Sequence, residues 1–150
     1  MMGAVCIPTL SICLTCRDGR EDARDDIRGG ARLAEAVCAA ARHECPARLR
    51  GVRCMSQCKR SCVVSLTASG AFTYLFGDLD PEDPAHVRAI LDLIPLYTAA
   101  PEGFLRRDAR PEPLRASILG RLPPIGTCSD LVTDLIGANA NLRAPQDCKS

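Results

Sequence analysis

A chain of 150 residues is the size of one domain and long enough to bury a core without disulfide staples. Nineteen basic residues, all but Lys59 and Lys149 arginine, nearly cancel eighteen acidic ones to leave a formal charge of +1, which excludes a generally basic nucleic-acid binder and an acidic disordered tail. Ten cysteines, against five aromatic residues and no tryptophan, are what the composition has to explain.

The first sixteen residues carry no charged side chain. No Lys or Arg precedes the run, Pro8 interrupts it and no small-residue cleavage site comes before Arg17, so it does not read as a secretory leader. No stretch reaches the roughly 18 to 20 apolar residues of a membrane span. The expectation is a cytoplasmic, reducing compartment and no membrane partner; there, clustered thiols serve as metal ligands or redox groups more often than as bridges.

Residues 9–14, Thr-Leu-Ser-Ile-Cys-Leu, read as a buried strand that runs into Cys16 and the turn-like Arg17-Asp18-Gly19. From Asp26, the residues Ile27, Ala31, Ala34, Val37, Cys38 and Ala41 recur at helical spacing and predict an amphipathic helix ending near His43, before Cys45-Pro46. Cys38, on its apolar face, reads as packing. Residues 51–54 are a brief strand candidate that breaks into a loop carrying Cys58 and Cys62, and residues 63–67 and 72–76 predict a hairpin. Asp83-Pro84 supplies an N-cap and a first-turn proline for a second helix, striped by Val87, Ile90, Leu91 and Ile94, with a stop or kink at Pro95. Residues 99–126 hold five prolines and five arginines and are expected to wrap over the domain through Leu114, Ile118, Leu119 and Leu122. A last short helix is predicted over residues 129–136, stopped by Gly137.

The sharpest constellation is Cys13-Leu-Thr-Cys16 with Cys54-Met-Ser-Gln-Cys58 and the further Cys62, each group lying at the end of a predicted strand. Loops that follow two parallel strands emerge on one edge of a sheet, which brings four or five thiols together. Four thiolates satisfy tetrahedral zinc or an iron–sulfur cluster, and the spacing leaves both open. A Cys13–Cys16 thiol–disulfide oxidoreductase is weaker, because several polar residues separate the pair from the helix and no proline precedes the hairpin. Cys6, Cys45, Cys128 and Cys148 have no partner at ligand-like spacing. His43 and His86 are the two imidazoles, and neither is set beside a paired Ser or Cys nucleophile in a recognised motif, so a hydrolase triad has little support. The Gly29-Gly30 pair lacks the rest of a phosphate-loop pattern. Arg106, Arg107, Arg110, Arg115 and Arg121, interleaved with Asp108 and Glu112, read as a solvated face more readily than as a dock for an acidic partner.

The segment Cys54-Met-Ser-Gln-Cys58-Lys-Arg-Ser-Cys62-Val-Val-Ser-Leu is similar to the second cysteine loop of thioredoxin-like [2Fe-2S] ferredoxins. More widely, the span from Cys13-Leu-Thr-Cys16-Arg-Asp-Gly through Thr73-Tyr-Leu-Phe-Gly-Asp-Leu to Gly120-Arg-Leu-Pro-Pro resembles the DUF1636 family of predicted metal-binding proteins, which is linked with cobalamin-related genes. The resemblance implies an α/β (α+β), thioredoxin-like fold. Its sheet would be mixed and four-stranded in chain order βαβββα with flanking helices, residues 1–98 forming the metal-binding domain and residues 99–150 a Pro/Arg-rich extension packed on it. It also implies Cys13, Cys16, Cys54 and Cys58 as ligands of a [2Fe-2S] cluster in an electron carrier that breaks no substrate bonds. The alternative is a non-redox protein that binds or delivers zinc or another thiophilic metal. The implied partner is a redox protein or a metal-dependent enzyme, not a nucleic acid or membrane, and a homodimer stays open. Two departures from the ferredoxin pattern, the short Cys13–Cys16 gap and a cysteine at position 62, leave open a mononuclear metal or a set that uses Cys62.

Overall fold

The computed structural model describes residues 6–42 and 44–135. Strands β1 (Thr9–Cys13), β2 (Arg48–Val52), β3 (Val64–Thr67), β4 (Thr73–Phe76) and β5 (Ile118–Leu122) form one sheet in the order β2-β1-β3-β4-β5. Helix α1 (Gly29–Ala41) returns the chain from β1 to β2, so these two strands run parallel; every other pairing is antiparallel. Helix α2 (Pro84–Ala99) follows the β3–β4 hairpin, and a single turn, α3 (Pro113–Ala116), precedes β5. The fold is therefore mixed α+β, built on an open sheet.

Register puts Leu10, Leu66 and Tyr74 in one row and Ile12, Val64 and Phe76 in the next. All six are buried, and Leu33 and Val37 of α1 join Ile90, Leu93, Ile94 and Tyr97 of α2 in the same core. Both long helices thus cover one face and pack on each other. The alternate residues carry hydroxyls to the opposite face: Ser11 Oγ accepts from Arg50 Nε at 2.7 Å, and the Thr67 and Thr73 hydroxyls share a hydrogen bond of 2.7 Å.

Several sequence expectations are corrected. The sheet has five strands, not four, because residues 118–122 pair with the otherwise open edge of β4. Of the expected anchors, Leu114 is fully enclosed, but Leu122, on the edge strand, is 53% exposed. Strand β2 begins three residues earlier and ends two earlier than expected, and Cys54 follows it in irregular chain. Helix α1 begins at Gly29, since the acidic stretch before it forms a 3-10 turn (Glu21–Arg24) and Asp25 and Asp26 take left-handed φ of 54° and 59°. Cys38 is exposed rather than packed. Helix α2 runs through Pro95: the missing N–H costs about 3 kcal/mol, which is offset by burying Ile94 and Tyr97 at about 1.5 to 3 kcal/mol each. Residues 129–135 make a turn rather than a helix, with Ser129 Oγ accepting from Leu131 N at 3.1 Å. Residues 136 and 137, His43 and Cys148 lie outside the described residues. Among the described residues, no helix is long and apolar enough to cross a membrane.

Candidate functional site

The first cysteine loop begins where β1 ends. Cys13 N donates to Val63 O at 3.0 Å and Leu14 N to Val52 O at 2.8 Å, so the strand is clamped on both sides up to the point where it turns. The start of α1 then rests directly on the loop. Gly30 N donates to Cys16 O at 3.0 Å, and a Cβ at Gly30 would run into the Cys13 carbonyl. Only glycine permits that approach. Glu21 holds the remaining backbone donors: its carboxylate accepts from Asp18 N and Gly19 N at 3.1 Å and from Gly29 N at 3.0 Å. Burial acts to raise the Glu21 pKa, but these N–H groups outweigh it and hold the carboxyl down at about 2. Arg32 pairs with Asp18 and with Glu82, the latter at 2.9 Å, tying the loop to the segment before α2.

The second loop leaves β2 and returns to β3. Met55 N reaches back to the Cys13 sulfur at 3.4 Å. Cys58 opens a 3-10 turn (Cys58–Arg60), and Cys62 exchanges both backbone hydrogen bonds with Leu79 at 3.2 Å. The adjoining Gly77-Asp78 serves as a brace: Asp78 N donates to Arg60 O at 2.7 Å, the Asp78 carboxylate pairs with Arg60 Nε at 2.8 Å, and a Cβ at Gly77 would stand 2.6 Å from Arg60 O. The Tyr-Leu-Phe-Gly-Asp-Leu stretch thus combines β4 with the part that fixes Cys62.

All five candidate cysteines lie at this end of the sheet, but they divide. Cys13, Cys16 and Cys62 are buried, whereas Cys54 and Cys58 are exposed. Cys54 adopts φ 144° just after β2. Cys16 is the thiol on which its neighbours act most: Cys13 and Cys58 oppose its ionisation, and the Val63 amide favours it. Cys62 in turn feels Cys16. Burial pushes Cys16 up to about 11, helped by Cys13, and pushes Cys62 up to about 12. Burial also raises Cys13, but the Met55 amide, Thr15 and Cys16 hydrogen bonds reverse the balance and leave that thiol below its ordinary value. Every cysteine among the described residues is a free thiol.

Soft sulfur donors from two loops suit a thiophilic metal in kind and in place. In the arrangement described they do not close around one: among the described residues, no three His, Cys, Asp or Glu side chains are grouped so as to hold an ion. The open members are Cys54 and Cys58. Glu21, Gly30 and Gly77 are supporting residues that spacing arguments passed over; the one available signal was the glycine doublet at the start of a helix.

Residues 10–124 match the family described as "Protein of unknown function (DUF1636)". The chain belongs to DUF1636. No curated protein and no solved structure matches it. The DUF1636 segment takes in both cysteine loops, the Gly77-Asp78 brace and all of β5, and it leaves Cys6, Cys128 and Cys148 outside.

Proposed function

We propose that this DUF1636 protein is a thiolate metal-binding protein of thioredoxin-like architecture, and that the group it holds is a [2Fe-2S] cluster used to pass single electrons. The observation that carries this reading is the meeting of two cysteine loops at one sheet edge, where Met55 N of the second loop donates to the Cys13 sulfur of the first at 3.4 Å. The parallel β1–α1–β2 unit beside an antiparallel hairpin, with both helices on one face, supports the architecture. Cys13, Cys16, Cys54 and Cys58 are the proposed ligands, with Cys62 competing for a place. A bound metal would supply Lewis acidity or, as a cluster, a reversible one-electron centre. The chain's own part is to fix the sulfurs from a braced backbone and to present amide donors such as Met55 N. Zinc binding or metal delivery uses the same sulfurs and is the alternative. A second reading, dithiol–disulfide exchange, is favoured by one observation: Cys13 and Cys16 are buried thiols three residues apart, one held below its ordinary pKa and the other above it.

Anaerobic purification followed by a visible spectrum and by iron, sulfide and zinc analysis tests these together. Two irons with two labile sulfides per chain are expected for this cluster type. Colourless protein with zinc supports the alternative, and metal-free protein with a rapidly cycling Cys13–Cys16 pair supports the dithiol. Cys54→Ser and Cys58→Ser are expected to lose the metal; retention of full metal in both removes these two ligands from the site.

A further inference from the structure

Arg110 is the one charged residue of the arginine-rich segment that is buried, at 6% exposure, and departs from the solvated face that Arg106, Arg107, Asp108, Glu112 and Arg121 form as expected. Its Nε and Nη1 are enclosed and have no hydrogen-bond partner, and neither has the Oγ of Ser117, itself 8% exposed. Among the described residues, no acidic side chain pairs with Arg110. Asp108 instead faces Arg106 at 3.5 Å and is 73% exposed. Three further arginines bear on Arg110 from three elements. Arg115 of α3 donates from Nε to Arg110 O at 3.0 Å and from Nη2 to Asp108 O at 3.2 Å. Arg121 of β5 lies over the Phe104 ring at 3.9 Å and donates from Nη1 to Leu105 O at 3.2 Å. Arg107 stands in the 3-10 turn (Arg107–Ala109) just before Arg110. Burial is the largest influence lowering the Arg110 pKa; Tyr74 opposes it, and the charges of Arg121, Arg107 and Arg115 add to it.

A guanidinium does not shed its proton in proteins, so it cannot relieve burial by becoming neutral. Unpaired, a buried charge is among the costlier features a fold can hold. Its planar donors match paired oxygens of a phosphoryl or carboxylate group. Four clustered positive charges without a facing acid suit a dianion better than a monocarboxylate. We propose that Arg110, with Arg107, Arg115 and Arg121 around it, forms a binding site for a phosphoryl group. The site is distinct from the cysteine loops: Arg121 pairs with Tyr74 and Tyr74 with Leu66, whereas Cys62 adjoins the Val64–Phe76 end of the same hairpin.

The test uses the full chain and titrates inorganic phosphate and, separately, glycerol phosphate, against chloride at matched ionic strength. Heat of binding and the thermal midpoint are both followed. Saturable binding with a rising midpoint is expected, and tighter binding of the ester assigns the ligand to a phosphorylated metabolite instead of free phosphate. Arg110→Met should weaken binding at least about tenfold while leaving the midpoint in chloride unchanged or higher, because an uncompensated buried charge is removed. Arg107→Gln, at an exposed position, should weaken phosphate binding about two- to fivefold through lost charge alone, and it keeps the test decisive if Arg110→Met does not fold. The proposal is overturned if no saturable binding occurs up to about 10 mM phosphate, if phosphate and chloride act alike, or if both variants bind phosphate as the parent does.

Discussion

Replacing Gly30 by alanine tests how the first cysteine loop is built. On an ordinary helix the change would be favourable by up to about 1 kcal/mol, since glycine is the poorer helix former. Here the new methyl meets the Cys13 carbonyl, with the Cys13 carbonyl carbon 2.9 Å and the Leu14 carbonyl carbon 3.1 Å away. These are backbone atoms of a strand clamped by Val63 and Val52, so they have little room to yield. The start of α1 must therefore lift away. Overpacking of this kind costs about 1 to 3 kcal/mol, and loss of the Gly30 N to Cys16 O hydrogen bond adds about 1 kcal/mol. After the propensity gain, a net loss of about 1 to 3 kcal/mol remains, equivalent to a Tm drop of about 3 to 10 °C for a chain of this length. Gly120→Ala on β5 is the control: nothing lies within 4 Å of its Cβ position, and its effect should stay within about 0.5 kcal/mol. Urea and thermal unfolding of both variants give the comparison. If Gly30→Ala proves as stable as Gly120→Ala, α1 does not rest on the thiol loop as described.

Timed alkylation of metal-free protein at pH 7, read by peptide mass spectrometry, should label exposed Cys54 and Cys58 first and leave Cys16 and Cys62 protected. With those thiols at about 11 and 12, their labelling should rise about tenfold per pH unit as thiolate forms; equal rates for Cys58 and Cys62 at pH 7 contradict the burial described. Acid should destabilise the fold in a defined window. Glu21, held down by backbone amides against its burial, and Asp80, held down chiefly by Arg20, both lie at about 2 in the folded chain. The unfolded chain binds those protons near pH 4, so stability is full above about pH 4.5 and declines as pH falls toward about 2. A urea midpoint that does not move across this range, or a Glu21→Gln variant with the parent's slope, argues against the Glu21 cradle. Tyr97→Phe removes the hydroxyl that donates to Phe72 O at 2.6 Å. It should cost about 1 to 2 kcal/mol, because a buried carbonyl loses its partner; a variant as stable as the parent would mean that water replaces the hydroxyl.

The elements with a clean periodicity were legible. Thr9 to Cys13 alternates, the β3–β4 hairpin carries β-branched and aromatic residues, and Asp83-Pro84 starts α2 where a cap should, with Asp83 Oδ1 accepting from Ala85 N at 2.8 Å. Elements set by long-range contact were not. Strand β5 hides in a segment of prolines and arginines, and what orders it is the unpaired edge of β4, a partner more than forty residues away. Pro95 stays helical because of what flanks it, not because of its own preference. For the cysteines, spacing alone placed the two loops at one end of the sheet. It could not separate buried Cys62 from exposed Cys54, since that depends on Leu79 gripping Cys62 from beyond the hairpin. Nor could it find Glu21, whose role rests on three amides from two separate stretches of chain.

Because β5 occupies the outer side of β4, a chain cut near residue 98 would lose more than a covering. Thr73, Tyr74, Leu75 and Phe76 would each face solvent along one edge, a short β-rich strand ready to pair with the next molecule. The buried Tyr74 hydroxyl would lose the Leu105 amide that donates to it at 2.7 Å. A truncated protein prepared to isolate the cysteine loops would therefore tend to self-associate, and its aggregation would say nothing about metal.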